Sequence, residues 1–163
     1  MPATRVLHMT EASMSATPPT TWKLSGLECC SLDQVHRDLS FIIGATYNLL
    51  YVPADLTRGG GYALINFISP EDAARACKML SGRQWPSSEA PPKPVTRPIK
   101  MTPARIQGFL ATLLQVCSRS RTHQLLLLHA GAPVDDVGTA MRLQSATEGD
   151  RGSSWDRARP AAS

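Results

Sequence analysis

The chain has 163 residues, 42% of them hydrophobic, which is enough for one domain with a single core and flanking tails. Lys and Arg total 17 against 13 Asp and Glu, a net charge of +4 that permits an anionic partner without demanding one. The longest apolar run, Leu125 to Leu128, is too short for a membrane-spanning helix, and the four cysteines, with no Cys-x-x-Cys spacing, point away from a zinc or disulfide scaffold.

Residues 1 to 20 carry Ser, Thr, Ala and a Pro18-Pro19 pair without a sustained period, the composition of a disordered leader. The domain is expected over residues 21–117, which also hold most of the basic excess. Trp22 to Leu27 reads as a first strand, with Trp22, Leu24 and Leu27 toward the core and Lys23 and Ser25 on the opposite side. A helix follows from the cap at Ser31, with Gln34 at capping-box spacing. Leu32, Val35, Leu39 and Ile42 form its apolar stripe, and Gly44 ends it. Tyr47 to Val52 is a β-rich run stopped by Pro53.

After a loop, Gly61 to Phe67 alternates with period two: Tyr62, Leu64 and Asn66 on one side, Ala63, Ile65 and Phe67 on the other. Ser69-Pro70-Glu71-Asp72 then opens a second helix with a cap, a proline at the first position and acids in the first turn. Its packed face is Ala73, Ala76, Cys77 and Leu80. A Pro/Ser/Glu-rich insertion separates it from a last strand at Ile99 to Thr102, which Pro98 and Pro103 confine to a short edge position. Ala104 to Cys117 reads as an additional helix, locally weakened by Gly108. Within residues 118–163, Gln124 to His129 is expected to form a turn or two of helix, and the rest a mostly disordered tail. The expected fold is therefore α+β: a ferredoxin-like βαββαβ sandwich with an added C-terminal helix.

The strand from Gly61 resembles the longer signature of the RNA recognition motif (RRM). Gly61, Tyr62, Ala63, Ile65 and Phe67 fit, while Gly60 stands in place of a basic residue and Leu64 in place of Phe. Three further stretches narrow the resemblance: Tyr47-Asn48-Leu49-Leu50-Tyr51-Val52-Pro53-Ala54-Asp55-Leu56, Ser69-Pro70-Glu71, and Ala104-Arg105-Ile106-Gln107-Gly108. Together they resemble the C-terminal RRM of the Mei-two-like meiosis regulators. That resemblance implies single-stranded RNA binding, a helix after the last strand, and a role in meiotic or developmental RNA regulation, with nuclear placement.

An RRM sheet stacks unpaired bases on aromatic rings and holds phosphates with nearby cations. Tyr62 is the expected stacking ring and Tyr51 a second one if Leu50 and Val52 face the core. Leu64 offers apolar contact, Lys23 a charge, and Asn66 either a base-edge contact or a local hydrogen bond. Arg58, Lys100 and Arg105 are candidate phosphate contacts, with a solvated surface charge as the alternative for each. Arg105 and Gln107 have a structural alternative, as a link between the last strand and the added helix. A non-catalytic protein is expected, without cofactor or metal. His36-Arg37-Asp38-Leu39 echoes a kinase catalytic loop, but Ile43 stands where that loop needs Asn, and Gly59-Gly60-Gly61 lacks the Lys-Ser/Thr of a P-loop. The alternative function is a degenerate RRM that binds a protein partner through its helical face. An intracellular setting, nucleus or cytoplasm, is expected from the missing secretory pattern.

Overall fold

The computed structural model describes residues 17–27, 31–53, 61–85, 97–119 and 123–152. Ten elements follow in order: β1 (Thr21–Leu27), α1 (Leu32–Ile43), β2 (Tyr47–Pro53), β3 (Gly61–Phe67), α2 (Pro70–Leu80), β4 (Lys100–Pro103), α3 (Phe109–Arg119), β5 (His123–His129), β6 (Ala132–Pro133) and α4 (Val137–Gly152). The first six have the strand and helix order of the ferredoxin-like motif.

Both early helices start where their side chains can satisfy orphan backbone donors. Ser31 Oγ accepts from Gln34 N at 3.2 Å, and Ser69 Oγ accepts from Asp72 N at 3.1 Å. Gly44, with φ 71°, closes α1 through a bond from its N–H to Ser40 O. The apolar spacing then decides which side is buried. Val35, Leu39 and Ile43 of α1, and Ala73, Ala76 and Leu80 of α2, turn toward the sheet.

The strands form a six-stranded antiparallel sheet in the order β4-β1-β3-β2-β5-β6. Under α1 and α2 lies the main core, where Leu24 and Leu27 of β1, Leu50 and Val52 of β2, and Ala63, Ile65 and Phe67 of β3 are essentially sealed from water. Each such leucine or isoleucine adds about 1.5–3 kcal/mol over its exposed state. A bulge between Ser25 and Leu27 keeps both Leu24 and Leu27 inward. Gly26 sits in it at φ 93°, and a Cβ there would lie 2.8 Å from Pro98 O, so a side chain is excluded by both backbone conformation and space.

Three expectations change. The sheet is wider than four strands, because Leu125 to Leu128 forms part of β5 and pairs with β2, Leu50 opposite Leu126. A continuous apolar run suits a strand buried on both faces as well as it suits a helix, and periodicity alone does not separate them. Leu126 and Leu128 join the main core, while Leu125 and Leu127 join a second one on the opposite face. The region expected as a mostly disordered tail thus carries β5, β6 and α4, the first two joined by a turn at Ala130-Gly131 with φ of 49° and 81°, the sign pattern of a type I′ hairpin. Finally, α3 begins at Phe109 rather than Ala104. Gly108 is at φ 89°, so it is the point where the chain turns into the helix and not a weak interior position.

The second core places α3 and α4 against the face that α1 and α2 leave uncovered. Phe109 and Leu113 of α3 and Ala140 of α4 pack with Leu49 and Leu127. Asp136 holds the start of α4, its Oδ2 accepting from Thr139 N at 2.7 Å and from Thr139 Oγ1 at 2.8 Å. These bonds keep its carboxyl below the usual carboxylate range. No helix among the described residues is long and apolar enough to cross a membrane.

Candidate nucleic-acid interface

The face opposite α1 and α2 is organised in rows across the strands. One row runs Thr21, Asn66, Leu49, Leu127; the next runs Thr102, Lys23, Leu64, Tyr51, Leu125. A third contains Lys100, Ser25 and Tyr62. The helices cover these rows unequally. The first lies under α3 and α4, while the β4-β1-β3 side of the other two stays accessible.

Under the helices the covered row is polar at one end and apolar at the other. Asn66, 3% exposed, accepts at Oδ1 from the Thr21 hydroxyl (2.7 Å) and the Thr20 hydroxyl (3.2 Å). Its Nδ2 donates to Asn48 Oδ1 at 2.7 Å and to Phe67 O at 3.3 Å. Asn48 Nδ2 continues to Gln144 Oε1 on α4 at 3.1 Å. At the other end, Thr21 Oγ1 accepts from Gly108 N at 3.0 Å and lies 3.3 Å from Thr112 Oγ1 on α3. A continuous chain of hydrogen bonds therefore runs from α3 through β1, β3 and β2 to α4. Buried polar groups persist only when satisfied in this way.

The turn before α3 is fixed by Gln107. Its Oε1 accepts from Thr20 N (3.0 Å) and Thr21 N (2.9 Å). Its Nε2 donates to Thr21 O (2.9 Å) and Ala104 O (2.7 Å). That uses the full donor and acceptor capacity of the amide. Gln107 is thus the structural link that its sequence position allowed. It pins the turn to β1 and so sets where Arg105 and Ile106 stand.

Between that turn and the sheet lies a pocket of about 290 Å3. Lys23, Tyr62, Leu64 and Thr102 form its floor, and Pro103, Arg105 and Ile106 one wall. Thr112 and Gln115 of α3 close another side. Among the described residues, its lining carries two cationic side chains and no carboxylate. Lys23 Nζ lies over the Tyr62 ring, 4.7 Å from its centroid, a cation–π contact.

The sequence-predicted residues separate accordingly. Tyr62, Leu64, Lys23 and Arg105 meet at the pocket. Lys100 is exposed on β4 beside them, and Ser25 Oγ donates to its carbonyl at 3.2 Å. Tyr51 does share the face of Leu64, since Leu50 and Val52 point inward, but it packs against the second core and is only part-exposed. Asn66 takes the local-bonding alternative: all its polar capacity is spent inside the buried chain, away from any base edge. Arg58 lies outside the described residues. The other lining residues went unrecognised, among them Thr102, Ile106, Thr112 and Gln115. Ile106 sits in the Ala104–Gly108 stretch that stood out in the sequence, whereas Thr102, Thr112 and Gln115 carry no sequence signal beyond ordinary polarity.

The other side of the molecule has its own polar cluster. Tyr47 Oη lies 2.7 Å from His36 Nδ1 and 3.2 Å from Ser40 Oγ. Burial pushes the Tyr47 phenol up from its ordinary value, an effect partly offset by the Ser40 bond. His36-Arg37-Asp38 lies within α1. Among the described residues no group of three or more His, Cys, Asp or Glu is arranged to hold a metal. No protein-family model matches the chain, and no curated protein matches it.

Proposed function

We propose that the protein is a non-catalytic single-stranded RNA-binding protein, an RRM of the Mei-two-like type, that works in meiotic or developmental RNA regulation in the nucleus. The observation that carries this reading is the accessible strip from β4 to β3. There a ring, an apolar side chain and two cations, Tyr62, Leu64, Lys23 and Arg105, meet in one pocket with no carboxylate among the described residues. Unpaired bases need a π face and phosphates need cations, and this strip offers both. The order of the first six elements and a helix after β4 also agree with that domain type.

The test is binding of the full chain to randomised pools of single-stranded RNA and DNA at two salt concentrations. RNA binding is expected to weaken with salt by a slope of roughly −0.7 per phosphate contacted. Tyr62→Ala should cost about 1–3 kcal/mol, the worth of one base stack. Binding that ignores both salt and Tyr62 rules out the sheet-face mechanism, and equal affinity for both pools makes the ligand single-stranded nucleic acid in general.

One observation favours a second reading, a protein-interaction module acting through the helical side. Phe41 on α1 is 92% exposed. On that reading Phe41→Ser abolishes partner binding and leaves RNA affinity unchanged.

A further inference from the structure

We infer that the pocket between the sheet and the turn before α3 takes a single nucleotide unit, a nucleobase carrying a phosphate. This inference rests on the nucleic-acid reading above and adds the size and orientation of the ligand. Its volume, about 290 Å3, lies just below the roughly 300–1,000 Å3 typical of small-ligand clefts. That is room for one base with its sugar and not for a run of bases. The neighbouring row cannot extend the platform, because Thr21, Asn66 and Leu49 are sealed under the helices. A sheet face that elsewhere stacks two or three bases is here reduced to one position.

The lining divides by chemistry. The Tyr62 ring, Leu64 and Ile106 supply the apolar contacts for a planar base. Thr102 and Gln115 have side-chain polar groups with no hydrogen-bond partner among the described residues, which leaves them for the base edge or the sugar. The Thr21 hydroxyl, by contrast, is already committed to Asn66 and Gly108. Arg105, exposed and without an ion pair among the described residues, is the phosphate contact on the wall. A base stacking on Tyr62 displaces the Lys23 ammonium from above the ring, and the flexible lysine stem lets that charge move to the phosphate.

The same chemistry is presented by a free mononucleotide and by one residue of a strand. Titration of the full chain by NMR separates the two sources. The probes are the four ribonucleoside 5′-monophosphates, the four nucleosides, inorganic phosphate, and uridine oligomers of increasing length. The expected result is saturable binding of mononucleotides, with shifts in the amides from Thr102 to Gln115, and affinity that nearly levels off beyond the first unit. Nucleosides and phosphate alone should each bind at least about tenfold more weakly, and Arg105→Ala should lower mononucleotide affinity by roughly tenfold, as expected for one charge-assisted contact. Gln115→Ala should change the ranking of the four bases.

Oligomers that bind while mononucleotides do not, with affinity climbing at every added unit, overturn the one-unit pocket and leave the RNA reading standing. Mononucleotides that bind while oligomers do not keep the pocket, name the free nucleotide as its ligand and overturn the RNA reading. Mononucleotide binding that is unchanged in Arg105→Ala and shifts other amides also overturns the inference. Absence of binding by any probe overturns both. Arg105→Ala should retain the wild-type thermal midpoint, so a lost affinity reads as a lost contact.

Discussion

On the face under α1 and α2, the side chains that the strands turn inward are Leu24, Leu50, Val52, Ile65 and Phe67, and the helices above them answer with Val35, Leu39 and Leu80. On the opposite face the strands present Thr21, Asn66 and Leu49, and the helices answer with Thr112, Leu113 and Gln144. The first interface is non-directional and tolerant of small shifts. The second combines a small apolar cluster with hydrogen bonds that fix α3 and α4 in one register. The difference assigns two tasks: one face holds the domain together, and the other sets how much of the sheet stays open.

The largest effect that separates the faces comes from removing the same side chain on each. Leu50→Ala should cost about 2–5 kcal/mol of global stability, because Leu50 is fully enclosed in the main core. Leu113→Ala empties a comparable volume in the smaller cluster. If the faces are independent cooperative units, its main consequence is local: amides of α3 and α4 exchange faster in native-state hydrogen exchange while those of β1 and β3 keep their protection. Global loss of protection in Leu113→Ala, equal to that in Leu50→Ala, breaks the comparison and makes the two faces one unit.

A smaller effect tests the hydrogen-bonded chain. Asn66→Ala leaves the Thr21 hydroxyl and Asn48 Oδ1 without their partner in a buried setting, which should cost about 1–3 kcal/mol. Asn48→Ala removes the next link, toward Gln144. Because the two asparagines share one bond, the double variant should fall short of the sum of the singles by roughly 0.5–3 kcal/mol, measured by denaturant unfolding. Strict additivity means that the groups relax independently and that the chain does not act as a unit.

Most of the first face was legible in the sequence, and the reason is periodicity. The alternation from Gly61 to Phe67, the stripe Val35, Leu39 and the caps Ser31 and Ser69 each specify a local choice that agrees with the others. The second face was not, because its cues conflict. Leu125 to Leu128 has no period, since both its sides are buried. The residues of α4 show hardly any apolar stripe; Asp136 caps its start locally, and Ala140 and Gln144 place that helix through contacts remote in sequence. Asn66 reads as an open-face residue from alternation alone, and it does point that way; only the position of α3 and α4 turns that face into an interior. The Ala104–Gly108 stretch was recognisable as distinctive. Its physical reason, the four bonds of Gln107 and the turn at Gly108, needed the strand partners.

The smallest expected effect concerns the polar tie at the rim of the first face. Tyr47 is enclosed as part of the main core, yet its hydroxyl reaches His36 and Ser40 on α1. Tyr47→Phe keeps the ring and removes these bonds, so at neutral pH it should cost about 0.5–1.5 kcal/mol. The pH dependence has a definite sign. The folded phenol titrates above its unfolded value, which is about 10, so the folded state holds its proton more tightly. Stability from this group is complete below the unfolded value and is lost as pH rises through the folded one. Wild type should therefore lose more stability than Tyr47→Phe between neutral pH and the alkaline range, and the gap between them should narrow. A gap that stays constant through the alkaline range shows that the phenol is not held by burial, and the contrast between a dry face and a hydrogen-bonded one then weakens at this edge.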